Sequence, residues 1–183
     1  MKLYHIDRLG TIESKEELNL NENIYLEDAA CNKCLQLALN QSYKNGLSAH
    51  GIKYFFQNEF ANSGAVPLSN MIDTIFEYER LLNYPDKLSR YQAFYAFDKE
   101  GIIKFINDKN LIIQYHKIYE VESKSYERHN MSLVAGDTHY NISAMAKCYW
   151  EDKEDPWNRI VQYEYLLEYP IKIIKEVKLN ELK

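Results

Sequence analysis

Glycine is scarce in this sequence, and the shortage excludes the commonest kinds of nucleotide site. Only six of the 183 residues are glycine, whereas an average usage of about 7% would give roughly thirteen. Neither G-x-G-x-x-G nor G-x-x-x-x-G-K-[ST] occurs, and both motifs need glycine where the backbone cradles phosphate. A nucleotide site in this chain would therefore have to be built from side chains.

Low numbers of cysteines and basic residues, and the lack of long apolar runs, exclude further classes of protein. Three cysteines do not make a disulfide framework, and the C-x-x-C pair Cys31 and Cys34 has no second pair at zinc-finger spacing. The 27 acidic residues outnumber the 22 basic ones, which argues against a dedicated duplex-binding domain. No apolar run approaches the roughly 18 residues of a membrane span, and the N-terminus has no signal-peptide pattern. We expect a cytoplasmic protein with no membrane partner.

Aromatic residues are abundant instead. Sixteen Tyr, seven Phe and two Trp make up 14% of the chain, and tyrosine offers both a stacking surface and a hydroxyl group. The length, with 46% hydrophobic and 27% charged residues, fits one compact domain over residues 1–183. No internal repeat or long linker divides it.

Hydrophobic periodicity predicts mainly helices in the first half and mainly strands in the second. The predicted helices are 26–45, 50–61, 70–82, 99–109 and 139–149. The predicted strands are 2–8, 89–97, 111–121, 159–169 and 171–177, with a loop at 123–137. Because no βαβ rhythm appears, this order favours an α+β domain with a split, mostly antiparallel sheet.

Polar side chains stand out in three of the predicted strands, where most neighbours are apolar. They are His5, Ser89, Tyr91, Gln162 and Glu164. Glutamate is disfavoured in strands, so Glu164 either lies on a solvated face or has a chemical role. Taken alone, each residue also has an ordinary structural interpretation.

The order of these residues resembles the ADP-ribosyltransferase superfamily: a first-strand His5, a middle strand with Ser89 and Tyr91, and a late Gln162-x-Glu164 strand. In that superfamily a split antiparallel sheet holds NAD in a bent form. The resemblance implies a small bacterial enzyme of the toxin or phage-defence kind. It would use NAD as a substrate, need no metal, and modify a protein or nucleic-acid acceptor, with an antitoxin as a further partner.

The resemblance also implies individual roles. His5 would bond the adenosine ribose or nearby backbone. Ser89 or Tyr91 would match the second-strand motif, in which a Ser supports the catalytic glutamate and a Tyr stacks on nicotinamide. Glu164 would be the catalytic carboxylate, which stabilises the oxocarbenium-like ribose. Gln162 would orient the acceptor. If Glu164 is such a cleft or surface residue, its replacement is expected to abolish transfer and leave the fold largely intact.

Two tryptophans precede the glutamate strand and have two interpretations. Trp150 and Trp157 form either a hydrophobic corner or an acceptor-recognition loop, and on the second interpretation Trp150 orients the acceptor. His129, Asp137 and His139 show no recognisable metal-ligand spacing, so no metal is expected.

Two other functions remain open. The first is a ligand-binding or interaction domain that keeps the fold without turnover. The second is an NAD-using RNA 2′-phosphotransferase, which needs basic residues grouped around a phosphate. The arginines available for that role are scattered in sequence: Arg8, Arg90, Arg128 and Arg159.

Overall fold

The protein is α+β, as the sequence predicts. The computed structural model describes residues 1–8, 10, 12, 15–22, 24, 29–56, 68–111, 116–136 and 138–182. Its helices are α1 (Ala29–Ser42), α2 (Ala49–Phe56), α3 (Leu68–Asn83), α4 (Lys99–Asp108) and α5 (His139–Trp150). Its strands are β1 (Leu3–Asp7), β2 (Glu17–Leu18), β3 (Phe94–Ala96), β4 (Lys117–Glu122), β5 (Tyr126–Asn130), β6 (Tyr163–Leu167) and β7 (Ile171–Val177). Within these described parts, no helix is both long enough and apolar enough to cross a membrane.

The strands form two antiparallel sheets. One has the order β1-β4-β7-β2 and the other the order β3-β6-β5. They meet at an isolated bridge between Tyr4 and Phe97, whose backbone N–H and C=O groups exchange two hydrogen bonds of 2.8 Å. Next to this bridge, the His5 side chain lies 2.7 Å from the Tyr95 carbonyl oxygen. The imidazole therefore spans the place where the two sheets meet.

Strand β6 supplies residues to two different cores because successive side chains point to opposite faces. Tyr165 and Leu167 pack with Phe94 and the first sheet. Leu166 packs on the other side with residues of α3 and α5, such as Phe76. Full burial of one such side chain stabilises the fold by about 1.5–3 kcal/mol.

Most predicted helices and strands are confirmed, with bounds that differ from the prediction by a few residues. Helix α4 begins after Asp98, whose carboxylate accepts the Gly101 N–H, an N-cap arrangement that stabilises a first turn. Strand β7 has the predicted bounds. The predicted strand 159–169 is shorter, since pairing is confined to β6. The ends of the predicted helices at 26–28 and 57–61, and positions 112–115 of one predicted strand, lie outside the described residues.

The predicted strand 89–97 is wrong in its first half. Residues 89–92 form a turn, in which Ser89 Oγ accepts the Tyr91 N–H at 3.1 Å and the Ser89 carbonyl accepts the Ala93 N–H at 2.8 Å. These local bonds compete with strand pairing. Strand β3 begins only at Phe94.

The predicted loop 123–137 contains a strand that the sequence pattern did not reveal. Strand β5 pairs along its whole length with β6, and His129 lies opposite Glu164. Its sequence, Tyr-Glu-Arg-His-Asn, is almost entirely polar. It has no alternating apolar pattern because its two buried residues, His129 and Asn130, are themselves polar.

Candidate functional site

A buried ionic cluster surrounds Arg90, in the turn that precedes β3. Arg90 Nε lies 2.9 Å from Asp73 Oδ1 on α3, and its Nη1 lies 2.5 Å from Glu164 Oε1 on β6. Their exposed fractions are 3% for Arg90, 4% for Asp73 and 2% for Glu164. Three charges so far from water are tolerated only when they are paired and hydrogen-bonded.

Tyr149 of α5 completes the surroundings of Glu164. Its hydroxyl donates to Glu164 Oε1 at 2.8 Å and accepts from Arg90 Nη1 at 2.8 Å. The Arg90 guanidinium also lies over the rings of Tyr149, Phe76 and Tyr95, at 5.3, 5.8 and 5.2 Å from their centroids. Aromatic faces attract a cation. The cation is therefore held by two carboxylates and three rings.

His129 supports Tyr149 from the far side. Its ring stacks on the Tyr149 ring with centroids 4.4 Å apart. Its Nδ1 lies 3.1 Å from the Tyr149 carbonyl oxygen, and its Nε2 lies 3.0 Å from Glu127 Oε2. The hydroxyl that contacts Glu164 thus belongs to a ring held by strand β5 as well as by its own helix.

Burial shifts the ionisation of the cluster. It raises the pKa of Asp73, although the nearby Arg90 acts in the opposite direction. Burial also raises the pKa of the Tyr149 and Tyr95 hydroxyls well above the ordinary value, so both stay protonated donors at neutral pH. For Arg90, burial opposes the charge, but Glu164 and the other neighbours hold its pKa well above the ordinary value.

A chain of hydrogen bonds connects His5 with Glu164. His5 Nδ1 donates to the Tyr95 carbonyl oxygen at 2.7 Å, since a carbonyl can only accept. Tyr95 Oη donates to the Arg90 carbonyl oxygen at 2.9 Å, and Arg90 donates to Glu164. The predicted site residues His5 and Glu164 are therefore joined through Tyr95 and Arg90, of which the sequence suggested only Arg90, and that as a phosphate ligand.

His50 of α2 lies beside Tyr95. Its ring packs between those of Tyr54 and Tyr95, with centroid distances of 4.3 and 4.2 Å. Helix α2 rests on the turn at 89–92, because Ser48 Oγ donates to the Tyr91 carbonyl at 3.0 Å. A Cβ on Gly51 would lie only 2.0 Å from the same oxygen. One turn therefore positions both Arg90 and the helix that carries His50.

Tyr91 and Ser89 do not occupy the places that the resemblance implies. Tyr91 is buried in a separate cluster with Tyr43 and the neighbouring Leu39 and Leu47, so its ring is not presented to a nicotinamide. Ser89 Oγ donates to Glu77 at 2.8 Å rather than to Glu164. Tyr95, rather than Tyr91, contacts both His5 and Arg90.

The other predicted residues divide between the core and the cluster. The expectation that Glu164 is a surface or cleft carboxylate is wrong, because its side chain is buried and only 2% exposed. Trp150 is also 2% exposed and donates its indole N–H to the Phe76 carbonyl at 2.9 Å. Its described contacts are those of the hydrophobic corner rather than of an exposed recognition loop. Trp157, by contrast, is 51% exposed.

Gln162 lies on the same side of its strand as Glu164, just before β6. Its backbone is held by Ser132 Oγ at 3.1 Å and by the Met131 N–H at 2.7 Å. Its side-chain Nε2 is buried and has no hydrogen-bond partner among the described residues. An amide donor in that state is costly unless a partner arrives.

The part of the chain that the structure describes contains no cluster of metal-ligating side chains. No group of three His, Cys, Asp or Glu side chains there could hold an ion. Asp137, which the sequence placed between two histidines, lies outside the described residues.

Together the fold and the cluster define an α+β domain with a buried arginine–carboxylate centre beside half-buried imidazole and tyrosine rings. The chain belongs to the family described as "Protein of unknown function (DUF2441)", whose model matches residues 3–179. No curated protein matches the chain. The matched span contains His5, His50, Arg90 and Glu164, so these residues lie within the domain that defines the family.

Proposed function

We propose that this protein is an NAD-dependent ADP-ribosyltransferase that modifies a macromolecular acceptor, with Glu164 as its catalytic carboxylate. The observation that supports this most directly is the bonded chain from His5 through Tyr95 and Arg90 to Glu164. It begins where the two sheets meet at the Tyr4 bridge. A toxin or phage-defence effector of the cytoplasm, controlled by an antitoxin, is the biological setting that we propose for it.

The proposed reaction depends on the Glu164 carboxylate in a site that excludes water. As the bond between ribose and nicotinamide breaks, the bonding electrons leave with neutral nicotinamide and positive charge develops on the ribose. A carboxylate bonded to the ribose 2′-hydroxyl stabilises that charge, and the effect is larger where water is excluded. The acceptor nucleophile then attacks the ribose carbon and releases a proton. The Glu164 carboxylate can accept that proton.

Substrate binding must rearrange the donors on Glu164. In the structure, Oε1 already accepts from Arg90 and Tyr149. A carboxylate oxygen can accept more than one bond, so a ribose hydroxyl would join or replace one of these donors. Arg90 and Tyr149 therefore act as positioning residues that hold the carboxylate oriented before NAD arrives.

The decisive experiment is transfer of label from NAD in which only the nicotinamide-distal part is labelled. Cell lysate is incubated with wild type, Glu164→Gln or Glu168→Gln. We expect wild type and Glu168→Gln to label an acceptor equally, because Glu168 is exposed and lies just after β6. Glu164→Gln should lose at least about 100-fold, the usual loss for a transition-state electrostatic contact. Sensitivity of the product to protease or nuclease then identifies the acceptor class.

Glu164 is buried, so the variant needs a folding control. Glu164→Asp keeps the charge beside Arg90 but withdraws the carboxylate by one methylene group. It should melt close to wild type and still fail to transfer label. Equal labelling by wild type and Glu164→Asp, or no labelling and no release of nicotinamide by wild type, would refute the proposal.

A second function is favoured by the burial of Glu164. The Glu164 carboxylate already accepts from two donors and is 2% exposed, which is also typical of a structural ion pair. The alternative is therefore a domain of the same fold that binds its ligand without turnover. Stoichiometric binding of NAD by wild type, with no nicotinamide release over many hours, would select it.

A further inference from the structure

His50 carries a buried polar atom that the described protein does not satisfy. Its Nε2 is shielded from solvent and has no hydrogen-bond partner among the described residues. The ring itself is half-buried between Tyr54 and Tyr95, so its orientation is set by two flat neighbours. A buried unpaired imidazole nitrogen destabilises the folded state, and a ligand atom that bonds it would remove that cost.

The surroundings of His50 are cationic. Burial lowers the pKa of His50 well below its ordinary value, and the positive charges of Arg90, Lys53 and Arg8 act in the same direction. Arg90 is occupied by its two carboxylates. Lys53 and Arg8 are exposed, lie over aromatic rings at 5.7 and 5.9 Å, and form no ion pair with a described carboxylate. Lys53, one helical turn after His50 on α2, and Arg8 therefore both act on the charge of this imidazole.

We propose that His50, Lys53 and Arg8 form the subsite for the diphosphate of NAD, with His50 Nε2–H as the donor to a phosphate oxygen. This inference rests on the proposed function for the identity of the ligand. A neutral imidazole has one N–H to give, and an anion is the partner that two nearby cations favour. No glycine cradle is needed, since side chains supply every contact.

The geometry also explains why the subsite lies on α2. Gly51 lets the helix approach the Tyr91 carbonyl oxygen closely, and this contact brings His50 onto the Tyr95 ring. Tyr95 in turn contacts both His5 and Arg90. A ligand with its diphosphate at His50 would have its ribose in the direction of the chain that ends at Glu164.

The test is calorimetric titration of the purified full chain with ADP-ribose, inorganic pyrophosphate and a short single-stranded oligonucleotide. His50→Phe keeps a flat ring and removes the donor, and it should weaken ADP-ribose and pyrophosphate binding by about 10- to 100-fold. His50→Gln retains an N–H donor and should recover part of the loss. Lys53→Met should weaken both ligands and reduce the salt dependence of binding. Lys109→Met, at an exposed lysine after α4, is the matched control and should change nothing.

The outcomes separate this subsite from the enzymatic proposal. Normal ADP-ribose binding by a folded His50→Phe protein would overturn the subsite even if Glu164 proves catalytic. Weakened ADP-ribose binding supports the subsite even if no acceptor is ever labelled. If only the oligonucleotide loses affinity, the anion is a nucleic-acid phosphate, and the assignment to NAD is wrong.

Discussion

The two faces of strand β6 are equally buried, but one packs in an apolar core and the other carries an ionic group. Leu167 and Tyr165 face the first sheet and pack among apolar side chains. Glu164, two residues before Leu166 on the other face, bonds to Arg90 and Tyr149 beneath α3 and α5. Glu164 is 2% exposed and Leu167 is 0% exposed. One five-residue strand therefore contributes both an ordinary core and a buried ionic centre.

The two faces differ in how their burial contributes to the free energy of folding. Burial of apolar area is favourable by itself, whereas burial of an ion pair is often neutral or worse than a hydrophobic replacement. The first face is therefore explained by folding alone. The second face is not, and the buried nitrogens of His50 and Gln162 without described partners are a further cost that folding alone does not explain. The ionic face is where the proposed function places the chemistry.

The largest effect should come from removing the shared cation. Arg90→Met leaves Asp73 and Glu164 buried without a counter-charge, and we expect a loss of about 3–5 kcal/mol of unfolding free energy near neutral pH. Leu167→Ala on the apolar face should cost about 2–5 kcal/mol. Urea unfolding at several pH values distinguishes the two. The Arg90→Met loss should shrink at acid pH as Asp73, whose pKa burial raises, is protonated, and the Leu167→Ala loss should not. Parallel behaviour would mean that the two faces do not differ energetically.

A smaller effect is expected from two matched tyrosines, one on each side. Tyr149→Phe removes a hydroxyl that bonds Glu164 and Arg90, and should cost about 1–2 kcal/mol. Tyr165→Phe removes a hydroxyl that bonds Asp98 at 3.1 Å, outside the cluster, and should cost less. Label transfer should fall only in Tyr149→Phe. An equal loss of activity in both variants would show that the hydroxyl of Tyr149 has no special role at Glu164.

The smallest effect is a change in pH dependence. Burial raises the folded-state pKa of Asp73 above the ordinary 3.8, so the folded protein binds that proton more tightly than the unfolded chain. Stability contributed by this group therefore falls as the pH rises from about 4 through the folded-state pKa. Asp73→Asn removes the group, and the variant should gain stability relative to wild type over that rise. Unfolding curves that stay a constant distance apart between about pH 4 and pH 7 would contradict this.

Local patterns predicted much of the secondary structure. Helix α4 has an aspartate N-cap and a periodic apolar stripe, and β7 follows a proline and is rich in isoleucine. Neither needs information from distant residues. Strand β5 was missed for the opposite reason, since its polar residues become buried only because β6 and α5 cover them.

The candidate site was predicted only in part. His5 and Glu164 stood out as polar residues in apolar strands, and both belong to the bonded chain. Arg90 gave the same signal, a charge within an aromatic run, yet it was considered only as a scattered phosphate ligand. The sequence predicts a strand over residues 89–97 with Tyr91 in the site, but residues 89–92 form a turn. In the structure Tyr95, not Tyr91, lies against Arg90.

What the sequence determined by itself is what depends on neighbours along the chain. That includes the α+β class, the helix and strand periods, and the absence of glycine-rich phosphate loops, because each follows from residue type and spacing. Only the tertiary structure decided which side chains share a dry space. Asp73, Arg90, Tyr149 and Glu164 come from α3, a turn, α5 and β6, and the cost of burying a charge is met only when all four elements have packed together.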